Sequence, residues 1–319
     1  MDSQIPKSVA VPTTESSEAR SGPADRSGSR HSALATAAMM DVAVGPYAGK
    51  ETGETGLLRT ILKSLSDNDV TVLDRYYCSF LMISLMFAQG TQVCTRRHQI
   101  RHTDFRRGRR LGKYDHVVHW TRPLRPTWMD EGTYDQIPET LELRELRDNI
   151  VEKGRRTKQL TIVTTLIDAD EFTKEEIAEL YGFRWNSERD RCSIKVAINL
   201  GHVRCKSPEM VHREVWATLL AYNLIRATIA AALHKRQPRQ ISFTSACQYV
   251  LASWMLTSGG VIVDMRQHCR QLLKQVANCE VANRPGRLEP RVIKRRRHGY
   301  PLRQKTRNVL RTELRKHGT

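Results

Sequence analysis

The chain has 319 residues, with 52 Lys and Arg against 34 Asp and Glu, for a formal net charge of +18. That length buries a sizeable core, in one large domain with an insertion or in two domains, and the charge favours a polyanion (DNA or RNA before an anionic membrane surface). Seven cysteines without Cys-x2-Cys or paired Cys/His spacing exclude a disulfide framework and a structural zinc site, and no run approaches the ~20 apolar residues of a membrane span.

Residues 1–31 are rich in Ser, Thr, Pro, Gly and Ala with no apolar period, and are predicted to be a disordered leader unrelated to the core. Ala33 to Val44 reads as a strand stopped by Gly45-Pro46. Leu57, Leu58, Ile61, Leu62 and Leu65 recur at helical spacing between Glu51 and Ser66, with Thr52 or Thr55 as cap. Val70 to Leu73 is a short strand with Asp74 at its carboxyl end. Tyr76 to Ala88 reads as a helix and Thr91 to Cys94 as another strand. Alternating strand and helix imply an α/β sheet over 32–98.

The segment 99–172 is predicted to be a β-rich insertion, with strand character at His116–Trp120, Leu141–Leu146 and Leu160–Ile167. It opens on ten Arg, Lys and His between Arg96 and Lys113, a phosphate contact surface or a solvated loop. Residues 173–283 read as helical, over 173–198, 207–234 and about 243–279. From Arg284 to the end, thirteen Lys and Arg stand against two Glu, which predicts a basic tail over 284–319.

The chemistry concentrates in Tyr181, Arg184, Glu188 and Lys195. On a helix at ~100° per residue these four fall within roughly a 60° arc. Asp74, where a buried strand gives out, is the carboxylate to pair with Glu188. Two carboxylates brought together hold Mg²⁺ and leave sites for water and phosphate oxygens. The other reading is structural: Asp74 caps the following helix, and Glu188 pairs with Arg184 or Arg191. His116, His119 and Trp120 fit a strand with one polar face, and Cys78 and Ser79 lack the context of a nucleophile.

Tyr181-Gly-Phe-Arg184-Trp-Asn-Ser-Glu188-Arg-Asp-Arg-Cys-Ser-Ile-Lys195 resembles the Tyr-Arg-Glu-Lys signature of bacterial insertion-sequence transposases of the IS-four group. Gly45–Thr55, Asp74–Ser79, Arg101–Gly112 and Arg204–Met210 are similar to further motifs of that family, in the same order. The resemblance implies an RNase H-like core interrupted by a β-rich insertion, and a DDE triad holding two Mg²⁺. It also implies a DNA substrate cut and joined by hydrolysis and transesterification, a homodimer in a synaptic complex, and a cytoplasmic, nucleoid-associated location with no membrane partner. By motif Asp74 and Glu188 are catalytic and metal-binding. Tyr181, Arg184 and Lys195 contact or position DNA, with Arg106, Arg107, Arg109 and Arg110 as further DNA-binding residues. The family's first Asp has no counterpart before Ser32. The sequence therefore predicts a copy truncated at its N-terminus with impaired catalysis, or a non-catalytic DNA-binding remnant that competes with intact transposase.

Overall fold

The computed structural model describes residues 9–15, 26–33, 36–46, 53–67, 69–149, 159–198, 203–205, 207–233, 240–281 and 305–317. Within these, the side chains of 9–15, 26–32, 46, 188, 191, 196, 314 and 317 lie outside the description. Residues 1–282 and 283–319 form two units.

Nine strands make one mixed sheet in the first unit. They are β1 (Val9–Glu15), β2 (Arg26–Ala33), β3 (Met39–Pro46), β4 (Val70–Leu73), β5 (Gln92–Arg96), β6 (Arg109–Gly112), β7 (Asp115–Thr121), β8 (Thr140–Asn149) and β9 (Gln159–Thr164). Their order is β3-β2-β1-β4-β5-β9-β8-β7-β6. β1, β2 and β3 pair antiparallel, whereas β1, β4 and β5 run parallel.

Two differences from the sequence reading follow. The segment expected to be a disordered leader supplies β1 and β2, next to β4 and inside the sheet. It carries no sustained apolar alternation, which hides it, and Pro12, which has no N–H to donate, lies inside β1; the parallel ladder with β4 runs over Val9↔Val70 and Ala10↔Thr71. The β-rich region at 99–172 continues the core sheet, because β9 pairs antiparallel with β5 through Cys94↔Thr164 to Arg96↔Ile162.

The sheet alternates as pleating requires. Leu73, Val93, Leu143 and Val163 join a core with α1 (Glu54–Thr60), a 3-10 turn (Leu62–Ser64) and α2 (Phe80–Phe87). Val72, Cys94, Leu146 and Ile162 face the other way, against α4 (Lys174–Gly182). Between them, α3 (Glu131–Gln136) follows Asp130, whose carboxylate accepts from the Thr133 N–H at 2.8 Å. α1 begins after Gly53 without a side-chain cap, so Thr55 lies inside the helix; Thr52 is outside the described residues. The helix expected from Tyr76 is delayed to Phe80 by a 3-10 turn (Arg75–Tyr77), and Ser79 caps it through the Met82 N–H.

The expected helix over 173–198 is broken. α4 ends at Gly182, α5 (Arg184–Cys192) follows after Phe183, and a π-helical turn (Ser193–Ala197) follows that. Then come α6 (Pro208–Ala232), α7 (Phe243–Ser258) and α8 (Met265–Ala277). The single helix expected over 243–279 splits at Gly259-Gly260, where Gly260 has φ +68°. Val211, Val215, Leu219, Ile225 and Ile229 of α6 close a third core with Phe243, Val250 and Val276, and with Met39 and Val42 of β3.

α6 is long and apolar enough to cross a membrane, which the sequence reading excluded. It nevertheless buries Arg226, paired with Asp190 of α5, in the manner of a core helix. In the second unit, α9 (Arg307–His317) lies where an unstructured basic tail was expected.

β3 is an edge strand, and its edge is blunted. Asn223 of α6 accepts from the Met39 N–H and donates to the Met39 carbonyl, both at 2.8 Å. The Asp41 carboxylate takes the Val42 N–H at 2.7 Å, and a register shift opposite His31/Ser32 kinks the strand. Occupied backbone groups and a bulge are what keep an edge from pairing with another chain.

One ion pair ties the sheet to α4. Arg144 of β8, 1% exposed, makes a two-pronged contact with Asp115 of β7, Nε at 2.8 Å and Nη2 at 2.6 Å. Its Nη1 donates to the carbonyls of Phe172 at 2.7 Å and Asp168 at 3.4 Å, on the loop that leads into α4. Removing one member of a buried pair strands the other charge, at a cost of about 3–5 kcal/mol. Arg144→Ala is therefore expected to lower unfolding stability by about that amount, read from the urea midpoint, while the Arg144→Met/Asp115→Leu double variant recovers much of the loss.

Candidate functional site

Asp74 stands at the carboxyl end of β4, whose four residues are all buried. Its carboxylate Oδ1 accepts from the Arg75 N–H at 2.8 Å and begins the 3-10 turn. The capping reading of Asp74 holds for this turn only, since Ser79 caps α2, and it occupies one oxygen. Among the described residues the other oxygen has no hydrogen-bond partner. The Asp74 carbonyl takes a hydrogen bond from Thr95 Oγ1 of β5 at 3.2 Å, which fixes the ends of the two parallel strands together.

The helix over this strand end is set by its own N-terminus. Thr173 and Glu176 form a capping box, in which Glu176 Oε2 accepts from the Thr173 N–H at 3.0 Å and from its hydroxyl at 2.8 Å. Those donors hold the Glu176 carboxyl below the usual carboxylate range. From there Ile177, Leu180 and Tyr181 recur on the face buried against the sheet.

Tyr181 is 3% exposed, and its hydroxyl has no hydrogen-bond partner among the described residues. Burial raises its pKa most, followed by Arg184, which lowers it, and Asp74, which raises it again; Arg96 lowers it too. The phenol therefore stays protonated, a neutral donor within electrostatic reach of the Asp74 carboxylate and two guanidinium groups. The Arg184 guanidinium lies 4.9 Å from the Trp185 ring centre and 5.8 Å from that of Tyr181.

Tyr181 thus lies within electrostatic reach of both Arg184 and Asp74. Glu188 is on α5, which packs beside β1, the neighbour of β4; its side chain lies outside the described residues. Lys195 is exposed on the π-helical turn. The expected straight stripe of four residues is corrected here, since the break at Phe183 and the wider π-helical turn both change the angle per residue. Among the described residues no cluster of three or more His, Cys, Asp or Glu side chains is placed to hold a metal ion.

β5 runs from Thr95 directly into the basic segment. Arg106, Arg107, Arg109 and Arg110 are all exposed on the loop and on β6, the strand at the far edge of the sheet. Part of this charge is answered locally. Asp104 lies 3.0 Å from Arg106 and 3.6 Å from Arg107, and the first of these contacts holds its carboxyl below the usual range. Arg109 is 3.7 Å from Glu142.

Behind the loop is a cleft of about 460 Å³ lined by Arg101, His102, Arg107, His116, Trp120 and Glu145 among others. The Arg101 guanidinium sits 3.7 Å over Trp120, whose Nε1 donates to Glu145 at 3.0 Å. His116, 1% exposed, bonds the Arg107 carbonyl through Nδ1 at 2.6 Å and pins the loop to β7. His119 of the same strand is exposed at the lining of the cleft. Cys78 is buried, which pushes its thiol up to about 11 and leaves it unreactive.

Sequence reasoning missed Arg144, Asp115, His116 and Glu145 as a buried polar group. Charged residues at alternate strand positions read as solvent-facing unless the second covering layer is known.

The transposase DDE domain family matches residues 8–224, about two thirds of the chain. The match begins ahead of β1, inside the segment expected to be an unrelated leader. Over 266 residues the chain is 28% identical to the transposase InsG for insertion sequence element IS4 of Escherichia coli (strain K12); the alignment covers 80% of this chain and 57% of that protein. The chain thus spans little more than half the length of that relative. With the Tyr-Arg-Glu-Lys residues in order, and Tyr181 within electrostatic reach of Arg184 and Asp74, this chain belongs to the DDE transposase family of the IS4 type.

Proposed function

We propose that this chain acts on DNA, holding the phosphate backbone along Arg106, Arg107, Arg109 and Arg110 and leading it to Asp74 beneath Tyr181 and Arg184. The observation that carries the reading is the buried Tyr181 phenol, protonated and unpartnered among the described residues, beside a strand-end carboxylate and two arginines. A neutral hydroxyl and a guanidinium are donors to phosphate oxygens. Strand order β3-β2-β1-β4-β5, antiparallel then parallel, supports an RNase H-like core.

Asp74 and Glu188 are the residues proposed to hold Mg²⁺, for which hard carboxylate oxygens are suited. Asp74 fits through its open oxygen. Bound there, the metal supplies Lewis acidity for in-line attack at phosphorus. Arg184 and Lys195 balance phosphate charge, and Tyr181 orients one oxygen. β1 occupies the sheet position beside β4, yet the sequence Val9–Glu15 contains no aspartate. That favours impaired strand cleavage with DNA binding retained, and so the second reading: a chain that competes with an intact transposase for DNA.

Three measurements test this. Anisotropy titrations of a duplex against NaCl should give a steep salt slope, and Arg109→Ala/Arg110→Ala should reduce it by about 1.8, close to 0.9 for each phosphate no longer neutralised. An unchanged slope sinks the assignment of that strand to DNA. Tyr181→Phe should weaken binding about 5-fold, the size of one hydrogen bond of about 1 kcal/mol, with no change in salt slope. Supercoiled plasmid should remain un-nicked in Mg²⁺ or Mn²⁺; nicking by the wild type that Asp74→Asn abolishes would overturn impaired cleavage while leaving the DNA reading intact.

A further inference from the structure

α5 is seated by polar side chains. α4 ends at Gly182 and a π-helical turn begins at Ser193, so no continuous α-helix holds α5 in line on either side. Among its described side chains, those that are buried are Ser187 and Asp190. The Ser187 hydroxyl donates within the helix, to the Arg184 carbonyl at 2.7 Å. Asp190 reaches another element: its Oδ1 accepts from Nη2 of Arg226, on α6, at 3.3 Å. Arg226 is itself clamped. Its Nε donates to the Tyr222 hydroxyl at 2.9 Å, that hydroxyl donates to the Ala37 carbonyl at 2.8 Å, and the Phe243 ring centre lies 4.6 Å from the guanidinium. Ala37 has φ +61°, which a non-glycine residue keeps only where its surroundings insist, so the turn into β3 belongs to the same assembly.

We propose that Arg226 and Asp190 are a positioning pair, which sets the rotation of α5 about its axis and with it the place of Glu188. At ~100° per residue Arg184 and Glu188 stand about 40° apart around α5, and Asp190 about 160° from Glu188. A pin on the α6 side therefore fixes the angle of the opposite face, which carries both signature residues. The guanidinium is a planar fork: once Tyr222 holds Nε, Nη2 points in one direction only. An apolar pair of similar volume would stabilise the fold about as well, but would leave the rotation of so polar a helix unspecified. The effect on Glu188 rests on its proposed role as a metal ligand; the seating of α5 does not.

Arg226→Met/Asp190→Leu in the full chain removes the pair without stranding a charge, and its thermal midpoint should stay near that of the wild type. Amide hydrogen exchange over residues 184–197, read by mass spectrometry, should nevertheless speed up at least ~10-fold, with exchange over 70–87 unchanged. Mn²⁺ affinity, read by electron paramagnetic resonance, should fall at least ~10-fold, the loss typical of removing a residue that orients a metal ligand. Exchange at the wild-type rate overturns the seating of α5. Faster exchange with unchanged Mn²⁺ affinity overturns its reach to Glu188. Where the double variant fails to fold, Arg226→Lys decides: it keeps the charge but not the planar fork, so both readings should move the same way, and readings equal to the wild type overturn the proposal. Wild-type Mn²⁺ binding that Asp74→Asn does not weaken would sink the metal reading instead, and exchange alone then decides for or against the pair.

Discussion

The Arg144 guanidinium holds three pieces of backbone at once. It is buried between β7 and β8, shares two hydrogen bonds with Asp115, and satisfies two carbonyls of the loop before α4. A charge so placed tolerates few arrangements, because each unmet donor in that interior costs about 1–3 kcal/mol. The consequence is geometric. The loop at 168–172 enters α4 at one position, Thr173 and Glu176 cap it there, and Tyr181 is delivered two turns later over the end of β4. The β-rich region joined to β5 thereby sets the position of the helix that carries the family signature.

A sheet of nine strands exposes two edges, and the chain treats them differently. At β3 the outward backbone groups are taken by Asn223 and Asp41, and a register shift bends the strand. At β6 the edge is lined with arginine, whose charge repels another basic chain and attracts phosphate. One edge is closed by hydrogen bonding and the other is lined with positive charge.

Tyr181 illustrates how burial shapes chemistry. Desolvation outweighs the two arginines near it, so the phenol remains a hydrogen-bond donor at every physiological pH. One Asp74 oxygen caps a turn, and among the described residues the other has no hydrogen-bond partner. A cap that fixes the backbone of a strand end also fixes the direction of the carboxylate.

The sequence by itself determined the family, the α/β class, the strand ending at Asp74, the basic surface and the helical end of the core. Each depends on local pattern: apolar period, motif spacing or charge density, all present in neighbouring residues. Tertiary structure decided the rest. β1, with Pro12 inside it, and β2, rich in Ser, Gly and Arg, carry no sustained apolar alternation to read as strands, and pairing within a sheet gives them order. The break at Phe183 and the π-helical turn leave no mark in helical spacing, because several backbone geometries accept the same side-chain order. The Arg144–Asp115 pair joins residues 29 apart in sequence, and whether a charge on a strand is solvated or buried depends on the layer that covers it. Local sequence fixes propensity and chemistry; burial is a property of the assembled chain alone.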